Sequence, residues 1–205
     1  MEFRWLHKKL EAEAIVVFGG WAVGAQVLDH LTGPFDVLFA SDYRDLNADL
    51  PDLSAYGQVN LVVWSFGVAS YAHWQQGRDD PFTRKVAVNG TLTPVNRRTG
   101  IPPVAMSKTI ETLSEDAYQL FLARIFNARQ PEAHIDVTAR RDELLAIEAR
   151  GDAPDVVFDR VWISTEDKIF PAVSQTRAWP QSNVQQIKAP HAPFAQFATW
   201  QEVLA

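Results

Sequence analysis

Short apolar segments recur along this chain, and glycine, proline or polar residues end each of them. The segments are rich in valine, isoleucine, leucine and phenylalanine, and they lack the alternation of polar and apolar residues that marks a half-exposed strand. Continuous apolar runs of this length are typical of strands buried on both faces, as in parallel sheets. We predict buried strands at residues 14–18, 35–40, 59–64, 85–89, 159–164 and 183–188, and an edge strand at residues 2–7.

Helical patterns separate the first buried strands. Residues 24–31 follow the first of these strands, and residues 68–76 follow the third. Strands that alternate with helices predict βαβ units, because a parallel strand needs a crossover connection. The expected fold class is therefore α/β, with a mostly parallel sheet flanked by helices.

A long segment, residues 94–155, separates the fourth and fifth buried strands, where a crossover of a dozen or so residues is usual. It begins with turn-forming residues and continues with helical patterns at residues 107–130 and 138–151. Leu120, Phe121 and Ile125 give the first of these an apolar face. We interpret the segment as a helical cap on a core of residues 1–93 and 156–205, because it follows a strand's C-terminal end, where such sheets have their sites. Helices packed on the sheet in the ordinary way are the alternative.

Composition restricts the classes of function. With 205 residues, 47% of them hydrophobic, the chain can bury a sizeable core as one domain. A net charge of −6 gives no support for a nucleic-acid partner, and the lack of cysteine excludes disulfides and a cysteine nucleophile. The sequence has neither a signal-peptide pattern nor an apolar run long enough for a membrane span, so we expect a cytoplasmic protein with no membrane partner.

Ser65 lies in the sequence VVWSFGV, directly after a predicted strand and before helical residues. A strand, then x-Ser-x-Gly, then a helix is the arrangement of a nucleophile elbow, which exposes the serine hydroxyl above the sheet. Gly67 supplies the small residue needed two positions after the serine. Val63 stands two positions before it, where the motif has glycine. This stretch alone therefore leaves open whether Ser65 is a nucleophile or a serine at an ordinary strand end.

A serine nucleophile needs a base, and the base needs an acid that fixes its tautomer. In sheets of this type the order along the chain is serine, acid, histidine. Of the five histidines, His191 alone follows the last predicted strand, and Asp167 follows the strand before it. We predict the triad Ser65, Asp167 and His191. Glu166 is the rival acid, and a solvent-exposed loop position is the alternative for each of these carboxylates and for the histidine.

Two backbone amides are expected to form an oxyanion hole. One belongs to Phe66, the residue after the serine, and the other to the loop after the first buried strand. We assign the second amide to Trp21 in the sequence FGGW, since glycines let the backbone approach a substrate closely. A dinucleotide site is not expected, because Gly19, Gly20 and Gly24 lack the spacing G-x-G-x-x-G.

Four sequence motifs, FGGW, VVWSFGV, VNGTLTPVNRRTGIPP and APHAPF, are distributed over nearly the whole chain. With them the chain resembles the BioG-type pimeloyl-[acyl-carrier protein] methyl ester esterases, which are small α/β-hydrolases of biotin synthesis. The resemblance implies an α/β-hydrolase fold, with Ser65 as nucleophile, Asp167 as acid and His191 as base. It also implies oxyanion amides at Trp21 and Phe66. The valine two residues before the serine departs from the general motif and affects the packing of the elbow rather than its existence.

The resemblance further implies a substrate, a pimeloyl chain that carries a methyl ester at one end and is bound to acyl-carrier protein as a thioester at the other. Hydrolysis of the methyl ester needs no metal or cofactor. A general carboxylesterase or thioesterase with the same triad is the alternative among enzymes. A non-catalytic binding protein with a hydrolase fold is the alternative of another class.

Carrier proteins are strongly acidic, so a basic surface on the insertion would favour their docking. We predict docking residues at Arg97, Arg98, Arg124 and Arg129, with the first two at the centre. A solvent-exposed helix face of mixed charge is the alternative, because acidic residues are interleaved. The basic residues of the insertion considered for this role are Arg97, Arg98, Lys108, Arg124, Arg129, Arg140 and Arg141.

Overall fold

The computed structural model describes residues 1–179 and 183–205. Within these residues one sheet has the strand order β1-β3-β2-β4-β5-β6-β7. β1 pairs with β3 in antiparallel orientation, and all other neighbouring strands are parallel. The strands are β1 (Glu2–His7), β2 (Glu13–Phe18), β3 (Phe35–Ser41), β4 (Gln58–Trp64), β5 (Arg84–Val88), β6 (Arg160–Ser164) and β7 (Val184–Ile187).

The predicted α/β class is confirmed, and each predicted strand is present with bounds that differ by no more than one residue. The reason is the burial of the central strands. In β2 the last five residues are all buried, as are the last six of β4. Strands covered on both faces carry no polar face, so their apolar runs end where the chain leaves the sheet.

Six α-helices accompany the sheet in the described residues. Side-chain caps fix the first turns of three of them: Ser114 accepts from the amide of Ala117, Asp136 from the amide of Ala139, and Thr199 from the amide of Glu202. Asn127 ends the helix that Ser114 begins, in a left-handed conformation. The helices are α1 (Phe66–Gln75), α2 (Pro103–Thr112), α3 (Glu115–Phe126), α4 (Val137–Arg150), α5 (Ala172–Ala178) and α6 (Trp200–Leu204).

Two helical predictions were wrong in detail. Residues 24–31 form only a short 3-10 helix, Ala25–Leu28, because the chain soon pairs with Thr199 through a bridge at Thr32. In α3 the prediction placed Leu120 on the apolar face, but this side chain is 66% exposed. The buried face of α3 consists of Tyr118, Leu122 and Ile125.

Apolar clusters cover both faces of the sheet. Side chains from α1, α2 and α4 pack in one cluster, while those from α3 and α6 pack in the other. Residues 94–155, called the helical insertion below, therefore supply helices to both clusters. The insertion also reaches the loop after β7, where the amide of Ala192 donates to the carbonyl oxygen of Ile125 over 3.1 Å. The insertion thus lies at the C-terminal ends of the parallel strands.

Candidate active site

Ser65 occupies a strained turn between β4 and α1. Its φ of 60° and ψ of −129° lie in a region that residues with a side chain rarely adopt. Its amide donates to the carbonyl oxygen of Val88 over 3.0 Å, which ties the turn to the end of β5. A Cβ atom at Gly67 would collide with the carbonyl oxygens of Phe18 and Gly19. The helix therefore approaches the end of β2 so closely that only glycine fits at this position.

The position of Val63 explains why the elbow has no glycine two residues before the serine. The residue pairs with Phe18 in the β2–β4 register, and its side chain is fully buried in the apolar cluster on the α1 face. The valine thus fills core space inside the sheet. The close approach of backbone segments occurs after the serine, at Gly67.

The structure brings Ser65, His191 and Asp167 together in one chain of hydrogen bonds. His191 Nε2 lies 2.9 Å from Ser65 Oγ, and His191 Nδ1 lies 2.8 Å from Asp167 Oδ2. In the tautomer with its proton on Nδ1, the imidazole donates to the carboxylate and accepts from the serine hydroxyl. Ser65 is only 4% exposed and His191 only 1%. These distances fit the predicted triad, and the catalytic roles of the three residues stay a prediction.

The carboxylate of Asp167 is surrounded by donors. Oδ1 accepts from the amides of Ile169, at 2.7 Å, and Phe170, at 2.9 Å. Oδ2 accepts from Gln175 Nε2 at 3.1 Å as well as from His191. Four donors fix the orientation of the carboxylate toward the histidine.

Side chains at the ends of two strands anchor the loop that carries His191. The carbonyl oxygen of His191 accepts from Trp64 Nε1 over 3.0 Å and from Asn89 Nδ2 over 2.8 Å. Asn89 also donates to Ser164 Oγ and accepts from the Ser164 amide, each at 2.7 Å. The imidazole stacks on the ring of Phe170, with centroids 6.0 Å apart. The buried amide of Asn89 therefore links the ends of β5 and β6 to the histidine loop.

Sequence reasoning missed three supporting residues, Trp64, Asn89 and Gln175. Trp64 was assigned only to a strand, and Gln175 lies in a short helix without a distinctive pattern. Asn89 carries the clearest signal, because it directly follows a buried strand and precedes glycine. A polar side chain that is buried at such a position needs hydrogen-bond partners.

The rival acid lies outside this network. The Glu166 side chain is 48% exposed, and its carboxylate lies 4.0 Å from Lys188 Nζ. Two other histidines are also engaged away from Ser65: His30 contacts the carbonyl oxygen of Phe194, and His134 pairs with Glu115.

The two predicted oxyanion residues lie at the start of α1 and in the loop after β2. Phe66 is the first residue of α1, where the helix dipole favours negative charge. Trp21 follows Gly19 and Gly20 in the loop after β2 and is 2% exposed. A Cβ atom at Gly20 would lie 3.0 Å from the ring of Trp64, so this loop lies tightly on the core. The role of both amides stays a prediction.

The predicted docking arginines are exposed, and two arginines of the wider set are not available. Arg97 and Arg98 lie in the turn after β5, Arg124 lies at the end of α3, and Arg129 follows it. By contrast, Arg140 pairs with Glu143 and Asp42, and Arg141 donates to the carbonyl oxygens of Ile110 and Leu113.

In residues 1–179 and 183–205 no cluster of histidine, aspartate and glutamate side chains is arranged to hold a metal ion. No helix in the described part of the chain has the length and apolar character needed to cross a membrane.

Comparison with known proteins places this geometry in a family. The family model described as "Pimeloyl-ACP methyl esterase BioG" matches residues 1–203. The chain belongs to the BioG family. A selenomethionine crystal structure of BioG from Haemophilus influenzae superposes with a TM-score of 0.90 at 30% identity and covers all of both chains. An uncharacterized protein from the same species is 34% identical over an alignment of 207 positions, and the match covers 91% of each chain.

Two further similar proteins extend the comparison. A malonyl-[acyl-carrier protein] O-methyltransferase from Bacteroides fragilis is 31% identical over 183 residues, and the match covers 83% of this BioG-family chain but 37% of that protein. The enol-lactonase of Burkholderia xenovorans superposes with a TM-score of 0.66 at 16% identity, covering 93% of this chain and 89% of the lactonase. This likeness shows the fold, and the predicted α/β-hydrolase architecture is confirmed.

Proposed function

We propose that this chain is a serine esterase that hydrolyses the methyl ester of a pimeloyl group bound to acyl-carrier protein, in biotin synthesis. Membership of the BioG family supports the substrate. The observation that carries the reaction is the continuous hydrogen-bonded chain from Ser65 through His191 to Asp167. A hydrolase-fold protein that only binds its ligand would not need these three side chains in this geometry.

The proposed reaction proceeds in two halves. His191 Nε2 takes the proton of Ser65 as the serine oxygen attacks the ester carbonyl carbon. The amides of Trp21 and Phe66 stabilise the oxyanion, and the tetrahedral intermediate collapses as methanol leaves with the proton from His191. A water molecule, deprotonated by His191, then attacks the acyl-enzyme. The free pimeloyl carboxylate departs and Ser65 regains its proton, so no metal or cofactor takes part.

We propose that the helical insertion acts as a cap over which the acidic carrier docks. Its exposed basic residues Arg97, Arg98, Arg124 and Arg129 supply the complementary charge. A groove of about 360 Å³ between α2 and α3 supports this arrangement, because Lys108 and Arg124 line it together with Trp21.

Incubation with methyl pimeloyl-[acyl-carrier protein] in H₂¹⁸O, followed by mass spectrometry, tests the proposal. The expected product is carrier-bound pimelate with one ¹⁸O in the new carboxylate, since water cleaves the acyl–oxygen bond. Release of free methyl pimelate and unloaded carrier would identify a thioesterase instead. Equal rates on unrelated short methyl esters would identify a general carboxylesterase. If the parent protein is folded and yields none of these products, the proposal is contradicted.

A further inference from the structure

The loop after β2, residues 19–24, has a backbone that needs external support. Ala22 adopts a φ of 56°, in the left-handed region that costs energy for a residue with a side chain. The neighbouring Trp21 amide is the proposed oxyanion donor. An amide of this kind contributes only when it points at the place where the oxyanion forms. Groups that fix the loop backbone before and after this amide therefore matter to the reaction.

Two helices of the insertion make those contacts. Tyr118 on α3 donates its hydroxyl to the carbonyl oxygen of Ala22 over 2.6 Å. Trp21 Nε1 donates to the carbonyl oxygen of Arg140 on α4 over 2.9 Å. The Trp21 ring also packs edge-on against Phe121, with centroids 4.9 Å apart. The insertion thus holds both the side chain of Trp21 and the peptide between Ala22 and Val23, one peptide further along the loop.

The contact on α4 is part of a longer network that returns to the same loop. The guanidinium of Arg140 pairs with Glu143 Oε2 at 2.7 Å. Glu143 Oε1 accepts from the amide of Tyr43 at 2.8 Å, and the Tyr43 hydroxyl donates to the carbonyl oxygen of Gly19 at 2.8 Å. Burial raises the pKa of both the Tyr43 and the Tyr118 hydroxyl, so both remain protonated donors near neutral pH.

We infer that α3 and α4 hold the Trp21 amide in the orientation required for the oxyanion, and that Tyr118 is a positioning residue of the ester hydrolysis. This inference rests on the proposed function, since it assigns the loop to the oxyanion. The insertion then contributes to the chemical step itself, in addition to any part in carrier docking.

Tyr118→Phe tests the inference, with Tyr56→Phe as the matched control. Tyr56→Phe removes an equivalent hydrogen bond, from the hydroxyl to Asp36 Oδ2 at 2.7 Å, near the N-terminal ends of the parallel strands. For Tyr118→Phe we expect kcat on a p-nitrophenyl ester to fall roughly tenfold with KM unchanged. The affinity for an alkylboronic acid, which forms a tetrahedral adduct on serine, should fall by the same factor. Tyr56→Phe should lower Tm and leave kcat and boronic acid affinity unchanged.

A Tyr118→Phe protein that loses only Tm, as the control does, would overturn the inference. If Tyr118→Phe fails to fold, Trp21→Phe removes the Nε1 donor while keeping the backbone amide, and it should show the same loss of kcat and boronic acid affinity. A parent protein that hydrolyses the p-nitrophenyl ester but not the carrier-bound methyl ester would overturn the proposed substrate only. A parent inactive on both would overturn both statements.

Discussion

Replacement of Asp167 by asparagine tests the triad through the geometry of a single carboxylate. Oδ1 accepts from the amides of Ile169 and Phe170, while Oδ2 accepts from Gln175 and His191. All four partners are donors, and an asparagine can present only one oxygen. The two backbone amides cannot reorient, so the asparagine oxygen must face them and its NH₂ group must face the imidazole.

This orientation forces the wrong histidine tautomer. His191 Nδ1 must then accept from the NH₂ group of residue 167, which places the imidazole proton on Nε2, opposite Ser65 Oγ at 2.9 Å. An imidazole with a proton on Nε2 cannot take the serine proton. We expect kcat to fall about 10⁴-fold, which corresponds to about 5 kcal/mol of transition-state stabilisation.

The assay compares kcat on carrier-bound methyl pimelate and on a p-nitrophenyl ester, with Tm as the check on folding. Glu166→Gln is the matched control, because it makes the same acid-to-amide change one residue away on an exposed side chain. We expect this variant to stay within about twofold of the parent, as its weak surface contact with Lys188 contributes little. A folded Asp167→Asn protein with more than about a hundredth of parental kcat, or a larger loss from Glu166→Gln, would refute the reasoning.

Three further predictions follow from the same structure. Ser65→Ala should lower kcat about 10⁴-fold or more and prevent labelling by a serine-reactive phosphonate, and retention of a tenth of the activity would contradict the mechanism. Reversal of Arg97 and Arg98 to glutamate, like added salt, should slow hydrolysis of the carrier-bound ester and spare a p-nitrophenyl ester, whereas equal losses on both would contradict carrier docking. The hydrogen bond from Arg44 lowers the pKa of Asp42 from 3.8 to about 2, so its carboxylate stabilises the fold above about pH 4. Solvent screening of the exposed Arg44 limits this stabilisation to about 1 kcal/mol, and it is lost as pH falls through about 2. In Asp42→Asn the free energy of unfolding, measured by urea denaturation, should change less with pH over this acidic range. An unchanged dependence on pH would show that Asp42 does not contribute.

The sheet and the order of the triad were predictable because both depend on positions along the chain. Strands buried on two faces show themselves as apolar runs, and the ends of parallel strands meet at one edge. Ser65 and Asp167 each follow such a run, and His191 follows the edge strand β7, which is parallel to β6. Their proximity therefore follows from topology, and the measured distances between them add the hydrogen-bond geometry.

The supporting contacts were not predictable, because they join residues far apart in sequence through side-chain directions. Gln175 reaches Asp167 only because α5 lies against the loop after β6, and Asn89 reaches the His191 carbonyl only across two strand ends. The exposure of Leu120 has a similar origin. Periodicity gives the faces of α3, but which face packs depends on the neighbouring helix, and the groove beside α2 leaves Leu120 open.

The proposed insertion, residues 94–155, is one continuous segment of the chain, but hydrogen bonds join it to loops outside these boundaries. The amide of Ala192, next to the histidine, donates to the carbonyl oxygen of Ile125 over 3.1 Å. Asn127 Nδ2 donates to the carbonyl oxygen of Glu166, next to the acid, over 2.9 Å. With the bonds to the loop after β2, the insertion contacts each loop that carries a proposed catalytic group other than the serine elbow.

A lid that only covered the site would need no such bonds, because loops held by the sheet alone could still present their side chains. The insertion therefore belongs to the scaffold that orders the site. Any movement that admits the substrate must preserve these contacts or exchange them for contacts with the substrate.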